Sequence, residues 1–96
     1  MFRYLALIQF TDQGIRDVKH STDRSHAFRA AVEAAGGRVI DLYWAIGEID
    51  GAVIFEVPDE QKGAALLLRL GQEGHVRTRT ARLFNAEEFA QIAQQA

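Results

Sequence analysis

The sequence has no cysteine and a single proline among 96 residues. The missing thiols exclude disulfides, thiolate metal sites and cysteine nucleophiles, and they are compatible with a reducing cytoplasm, the expected location. Long hydrophobic runs are also missing. The most apolar stretch runs only from Phe2 to Phe10, is broken by Arg3 and lacks a secretory cleavage pattern, so no membrane association is expected. No charge of one sign dominates either: a formal net charge of -2 offers no long-range attraction to nucleic acid. His20, His26 and His75 show neither H-x-x-x-H nor H-x-H spacing, which leaves no metal site and makes each an isolated, exposed side chain. Ser21 and Ser25 lack a G-x-S-x-G elbow, and Gly71 with Gly74 does not form a phosphate-binding loop. No cofactor is expected.

What is present reads as one globular domain over residues 1–96. Hydrophobic residues make up 48% and charged residues 25%, ordinary values for a packed soluble domain. A chain of this length buries somewhat over about 60% of its unfolded surface, enough for a modest core without staples.

Phe2 to Phe10 is rich in aromatic and aliphatic residues and ends at turn-forming Thr11-Asp12-Gln13-Gly14, which predicts a first strand. In the polar segment Gln13 to Asp23, Ile15 and Val18 are spaced for one helical turn tucked against the body. Phe28, Ala31, Val32 and Ala35 recur at helical spacing, and Gly36-Gly37 follows them, predicting a helix from about Thr22 to Ala35 capped by Ser21, Thr22 or Asp23. Val39 to Ile46 and Ala52 to Val57 predict two strands. The Asp50-Gly51 pair between them suggests a hairpin turn with positive backbone φ. Asp59 after Pro58 can cap a second helix, with Ala64, Leu67, Leu68 and Gly71 on one face. His75 to Phe84 predicts a fourth strand, and Asn85 with Glu88 a capping box for a short helix presenting Phe89, Ile92 and Ala93.

The order is strand, helix, strand, strand, helix, strand, helix. Its first six elements are two split β-α-β units, predicting an α+β, ferredoxin-like βαββαβ fold: an antiparallel sheet in order 4-1-3-2, both helices on one face, with an extra C-terminal helix. That order makes the apolar first and third strands central and sends the fourth, with Arg77, Arg79 and Arg82, to an edge where charge deters aggregation.

Both faces of such a sheet are apolar. Alternation separates Leu5 and Leu7 from Tyr4, Ala6 and Ile8; Ile40, Leu42, Trp44 and Ile46 from Val39, Asp41, Tyr43 and Ala45; and Val53, Phe55 and Val57 from Ala52 and Ile54. Two helices cover one face only. The other would expose more apolar area than soluble monomers usually do, which predicts a homodimer or higher homo-oligomer through the open face; the alternative is that the terminal helix folds back over it.

The segments Thr11-Asp12-Gln13-Gly14-Ile15-Arg16 with Lys19, Ser21 and Arg24, then Gly36-Gly37, Tyr43, Gly47-Glu48-Ile49-Asp50, Pro58-Asp59 and Gly74-His75-Val76-Arg77-Thr78, follow in an order and spacing that resembles the GYD-domain family of small bacterial proteins. The resemblance implies a ferredoxin-like domain that pairs as a dimeric α/β barrel, and adds little about chemistry. The chain departs from the family's name-giving Gly-Tyr-Asp signature, because Ile49 stands where the tyrosine is expected.

Two places hold candidate site residues. Thr11 to Arg24 interposes more polar residues than a strand-to-helix connection requires, and Asp12 and Arg24 there, with Arg16 and Lys19, could hold an anionic or carboxylate-bearing ligand; a solvated loop with internally paired charges is the alternative. Asp50, and Arg77 beside Arg79 and His75, are secondary candidates, with Tyr43 or Trp44 as a wall; structural roles in turn, edge and core compete for each. A pocket is expected between helices and sheet near this loop. The leading function is a small-ligand binding or regulatory module. The alternative, by fold-level analogy with dimeric α/β-barrel monooxygenases, is a cofactor-free, monooxygenase-like or isomerase-like enzyme acting on a hydrophobic small molecule. RNA binding ranks last in an acidic chain whose strand aromatics, Tyr4 and Phe55, have apolar surroundings.

Overall fold

The computed structural model describes all residues, Met1 to Ala96. Four strands, β1 (Phe2–Phe10), β2 (Arg38–Trp44), β3 (Gly51–Val57) and β4 (Val76–Leu83), form one antiparallel sheet in the order β2-β3-β1-β4. The helices are α1 (Asp12–Arg16), α2 (Ser21–Ala34), α3 (Glu60–Gln72) and α4 (Ala86–Ala93), with a single 3-10 turn at Val18–His20 before α2. The small α+β fold, its strand order and its additional C-terminal helix agree with the expectation. No helix is long and apolar enough to cross a membrane.

Register assigns the two faces. Tyr4 lies opposite Phe55 and Ala6 opposite Val53, and all four are buried beneath α2 and α3, where Phe28, Val32 and Leu66 complete the core. Phe55 stacks on Tyr4 with ring centroids 5.4 Å apart and takes the edge of Phe28 at the same separation, offset geometries that aromatic rings prefer. Ile8 packs against this core too, so it belongs to the covered face. On the other face Leu5 pairs with Ile54 and Leu7 with Ala52, all partly exposed, and the buried Glu56 is bonded by both Arg3 and Arg38.

Four details depart from the sequence reading. Strict alternation fails in β2, where Val39 pairs with Phe55 and Asp41 with Ile54, leaving Ile40 as the extra residue of a bulge. Val39 therefore joins Leu42 against the core. The stripe of α3 is turned by about one position: Gly63 and Leu66 are buried, Leu67 and Leu70 pack beside them, and Leu68 is 72% exposed. The cause is Gly63, whose missing side chain lets the helix approach the sheet until an added Cβ would stand 2.9 Å from the Tyr4 ring and 3.1 Å from Val57. Ile15 is exposed rather than tucked in, because α1 turns Gly14 to the body, against the His75 carbonyl, where no Cβ fits. Finally, Asp50 and Gly51 do not form a turn with positive φ; the reversal uses Gly47, at φ 145°, and Asp50 is held by backbone bonds beside β1.

The C-terminal helix begins with the expected capping box, in which Asn85 accepts from the Glu88 N–H and Glu88 from the Asn85 N–H. It does not cover the open face with its apolar side: Phe89 is 58% exposed and no residue of α4 is buried.

The close approach at Gly63 gives a stability prediction. Gly63→Ala should lower the free energy of unfolding by about 1–3 kcal/mol through overpacking, although alanine is the better helix former. Urea denaturation would show it as a lower midpoint; an unchanged or raised midpoint would contradict this packing.

Candidate functional site

A cavity of about 70 Å³ opens at one end of the sheet, between the N-terminal half of α2, the C-terminal end of α3 and the strands beneath. Its apolar walls come from Ile8 and Phe10 at the end of β1, Leu42 and Trp44 on β2, Val53 on β3, Val76 on β4, Phe28 on α2 and Leu70 on α3. Ser21, Arg24, Ser25, Asp50, Glu73 and His75 are the other polar residues of its lining, though the surface turned to the cavity is almost entirely apolar. A water-sized sphere needs about 10–15 Å³ of such volume, so the enclosed part suits a molecule of roughly half a dozen heavy atoms.

Backbone geometry builds this site. The Asp50 N–H donates to the Ile8 carbonyl at 2.9 Å, and the Asp50 carboxylate accepts the Phe10 N–H at 2.8 Å. Asp50 thereby fastens the β2–β3 connection to the end of β1, a structural use of its carboxylate at the mouth of the cavity. Gln9 adds a bond from its side-chain amide to the Glu48 carbonyl at 2.9 Å. Opposite, Thr11 caps α1 by accepting the Gly14 N–H, and its own N–H donates to the His75 carbonyl, which ties the segment after β1 to the start of β4.

The charged centre of the segment is Asp17, which no sequence signal singled out. Its carboxylate meets His20 Nδ1 at 2.5 Å and Arg24 Nη1 at 3.1 Å, with His75 Nε2 at 3.9 Å. The hydrogen bond from His20 holds the Asp17 carboxyl below its ordinary range, and the same bond raises the His20 imidazole. Arg24 also donates to the Asp17 backbone carbonyl at 3.1 Å, and its side chain is only 16% exposed. Gln13 reaches His75 Nε2 at 3.4 Å. After these contacts two buried nitrogens have no partner, Arg24 Nη2 and His75 Nδ1, and both residues line the cavity.

Of the residues singled out from sequence, the fold gathers Arg24, Asp50, Tyr43 and Trp44 around this cavity and leaves Asp12 and Arg77 outside it. Asp12 is exposed in the first turn of α1. Arg77 is exposed on the open face opposite Gln9. His26 is exposed and unpaired as expected, but the other two histidines differ from the isolated, exposed side chains anticipated. His20 is exposed but ion-paired, and His75 is partly buried because it precedes β4, outside the strand alternation that would align it with Arg77 and Arg79. Glu73 and the two serines complete the polar rim. Only three-dimensional proximity identifies them; nothing in their spacing does. No group of three or more histidine and carboxylate side chains gathers in a way that could hold a metal ion.

The chain matches the profile of the GYD domain over residues 4–93, nearly its whole length. No curated protein matches its sequence. Among solved structures it is similar to TTHA0845 from Thermus thermophilus, with a TM-score of 0.54 and 21% identity over 90% of this chain and 96% of that one. At that identity the likeness speaks for the fold alone.

The paired shifts of Asp17 and His20 fix a pH window. A raised imidazole stabilises the fold below its unfolded value of 6.5, an effect lost as pH rises through the folded value; a lowered carboxyl stabilises above its ordinary 3.8 and loses that effect as pH falls. The interaction is therefore fully present between about pH 4 and 6.5. NMR titration should place His20 above 6.5 in the native chain and return it to the ordinary value in Asp17→Asn. Identical titrations in the two proteins would contradict the pairing.

Proposed function

The chain belongs to the GYD-domain family, and we propose that it serves as a binding module for a small, largely apolar molecule held in the cavity between α2, α3 and the sheet. The observation that supports this reading most strongly is the make-up of the cavity: an almost wholly apolar wall of aromatic and aliphatic side chains, as small-molecule sites commonly have, with a few polar residues in its lining. No complete set of nucleophile, base and orienting group surrounds it. The serines lack a partnered base, since Ser25 donates to the Thr22 carbonyl, and the Asp50 carboxylate is engaged with the Phe10 backbone. Binding rather than turnover is the simpler use of such an arrangement.

Trp44, the only tryptophan in the chain, lines the cavity and reports its occupancy. Neutral apolar probes that do not absorb in the tryptophan band, such as isobutanol and cyclopentanol, should shift its emission saturably. Ser25→Leu, which fills the cavity from α2, should abolish the shift. A saturable response that survives Ser25→Leu, or no response to any probe, would contradict the reading.

For assembly, we propose a homodimer, the open sheet faces meeting about a two-fold axis and the apolar side of α4 extending the contact. Leu5, Leu7 and Ile54 give this face its apolar centre, while Phe89 and Ile92 of α4 remain without cover in the single chain. The register separates the neighbours Leu7 and Ile8. Leu7→Asp should yield a folded monomer by light scattering, whereas Ile8→Asp, on the core side, should lower stability instead. A wild-type monomer at micromolar concentration would refute the dimer.

A further inference from the structure

We propose that the molecule bound in this cavity carries a carboxylate, received by Arg24 and His75; the inference rests on the binding reading above and specifies its ligand class. Two buried nitrogens have no partner, Arg24 Nη2 and His75 Nδ1. A guanidinium nitrogen can only donate, so whatever meets Nη2 must be an acceptor. For His75 the role depends on the tautomer: with Nε2 accepting from the Gln13 side-chain amide at 3.4 Å, the ring proton resides on Nδ1. In that tautomer both unpartnered atoms are donors. A buried donor without a partner is costly, and both belong to residues that line one apolar cavity, where a turn of each side chain toward the cavity would offer them to the two oxygens of a carboxylate.

The surrounding charges are compatible with this assignment. Asp17, the anion nearest Arg24, is shared with His20, while Arg24 uses only Nη1 toward it. Asp50 is hydrogen-bonded to the Phe10 N–H, and Glu73 is an exposed residue at the rim. The apolar walls then define the rest of the ligand: a short branched aliphatic or small aromatic body, limited by the cavity of about 70 Å³. A carboxylate attached to such a body has its charge met by Arg24 among apolar walls, and a charge-assisted hydrogen bond is roughly twice as strong as a neutral one.

Isovalerate and isovaleramide have the same shape and differ in charge and donor pattern, so comparing them isolates the headgroup. Titrations at pH 7, followed by Trp44 emission and by calorimetry, should show isovalerate binding at least tenfold tighter than the amide to the full chain. Arg24→Gln should remove that preference while amide binding stays within about twofold, and Arg24→Lys should restore part of it. Proton-detected NMR of His75 should find the ring proton on Nδ1 and shift its resonance on addition of isovalerate. Equal binding of acid and amide overturns the carboxylate inference and leaves the binding module standing. Binding of neither, together with no response to the neutral probes, overturns both. An acid preference that persists undiminished in Arg24→Gln also overturns the inference, since the anion would then be held elsewhere.

Discussion

Asp50 carries the pairing of β1 with β3 beyond the last rung of their ladder, Ile8 opposite Gly51. Its N–H reaches the Ile8 carbonyl and its carboxylate receives the Phe10 N–H, so one residue closes the connection between β2 and β3 onto the end of β1. Remove those bonds and the end of β1 has a free backbone donor beside an apolar cavity, and the wall formed by Leu42 and Trp44 loses its anchor to Ile8 and Phe10. The two carboxylates and two glycines of the stretch Gly47 to Gly51 are thus unequal. Gly47 makes the reversal and Asp50 makes the join, while Glu48 offers only its carbonyl, to Gln9.

Around that anchored edge the architecture follows from coverage. Four strands with apolar residues on both sides receive two helices on one side, and Phe55, between Tyr4 and Phe28, is the centre on which α2 settles. Toward the N-terminal end of α2 the packing opens into the cavity. There Asp17 gathers His20, Arg24 and the more distant His75, bringing the segment after β1 together with the start of β4. The arrangement positions Arg24 against an apolar chamber while occupying only part of its guanidinium. The other sheet face keeps a polar border, the buried Glu56 held by Arg3 and Arg38, beside an apolar centre. The hydrogen bond from Arg38, then that from Arg3, holds the Glu56 carboxyl below its ordinary range despite burial.

Much of this was legible in the residues themselves. Element order, central and edge strands, the Phe28/Val32 stripe and the capping box at Asn85 all follow from local rules of spacing and capping. The misreadings have tertiary causes. A single extra residue at Ile40 reverses alternation in β2 without any compositional mark. The phase of α3 depends on Gly63 approaching Tyr4, a partner 59 positions earlier by their numbers. Asp50-Gly51 resembles a two-residue hairpin turn because local sequence does not reveal that β1 supplies Asp50 with bonding partners. In the candidate site, Arg24, Asp50, Tyr43 and Trp44 come together because the polar segment and the hairpin share one end of the sheet. Asp12 and Arg77 do not, since helix phase and strand parity point them elsewhere, and Asp17 and His75 gain their importance only from long-range proximity.

If the chamber under α2 is a ligand site whose charged end is Arg24 and His75, a crystal structure of the protein grown with isobutyrate, small enough for the chamber, will show it. The carboxylate is expected within hydrogen-bond distance of Arg24 Nη2 and His75 Nδ1, with the methyl groups against Phe28, Leu42 and Val53. Isobutyrate bound only on the open sheet face or at α4, with water bridging those two nitrogens instead, would contradict it.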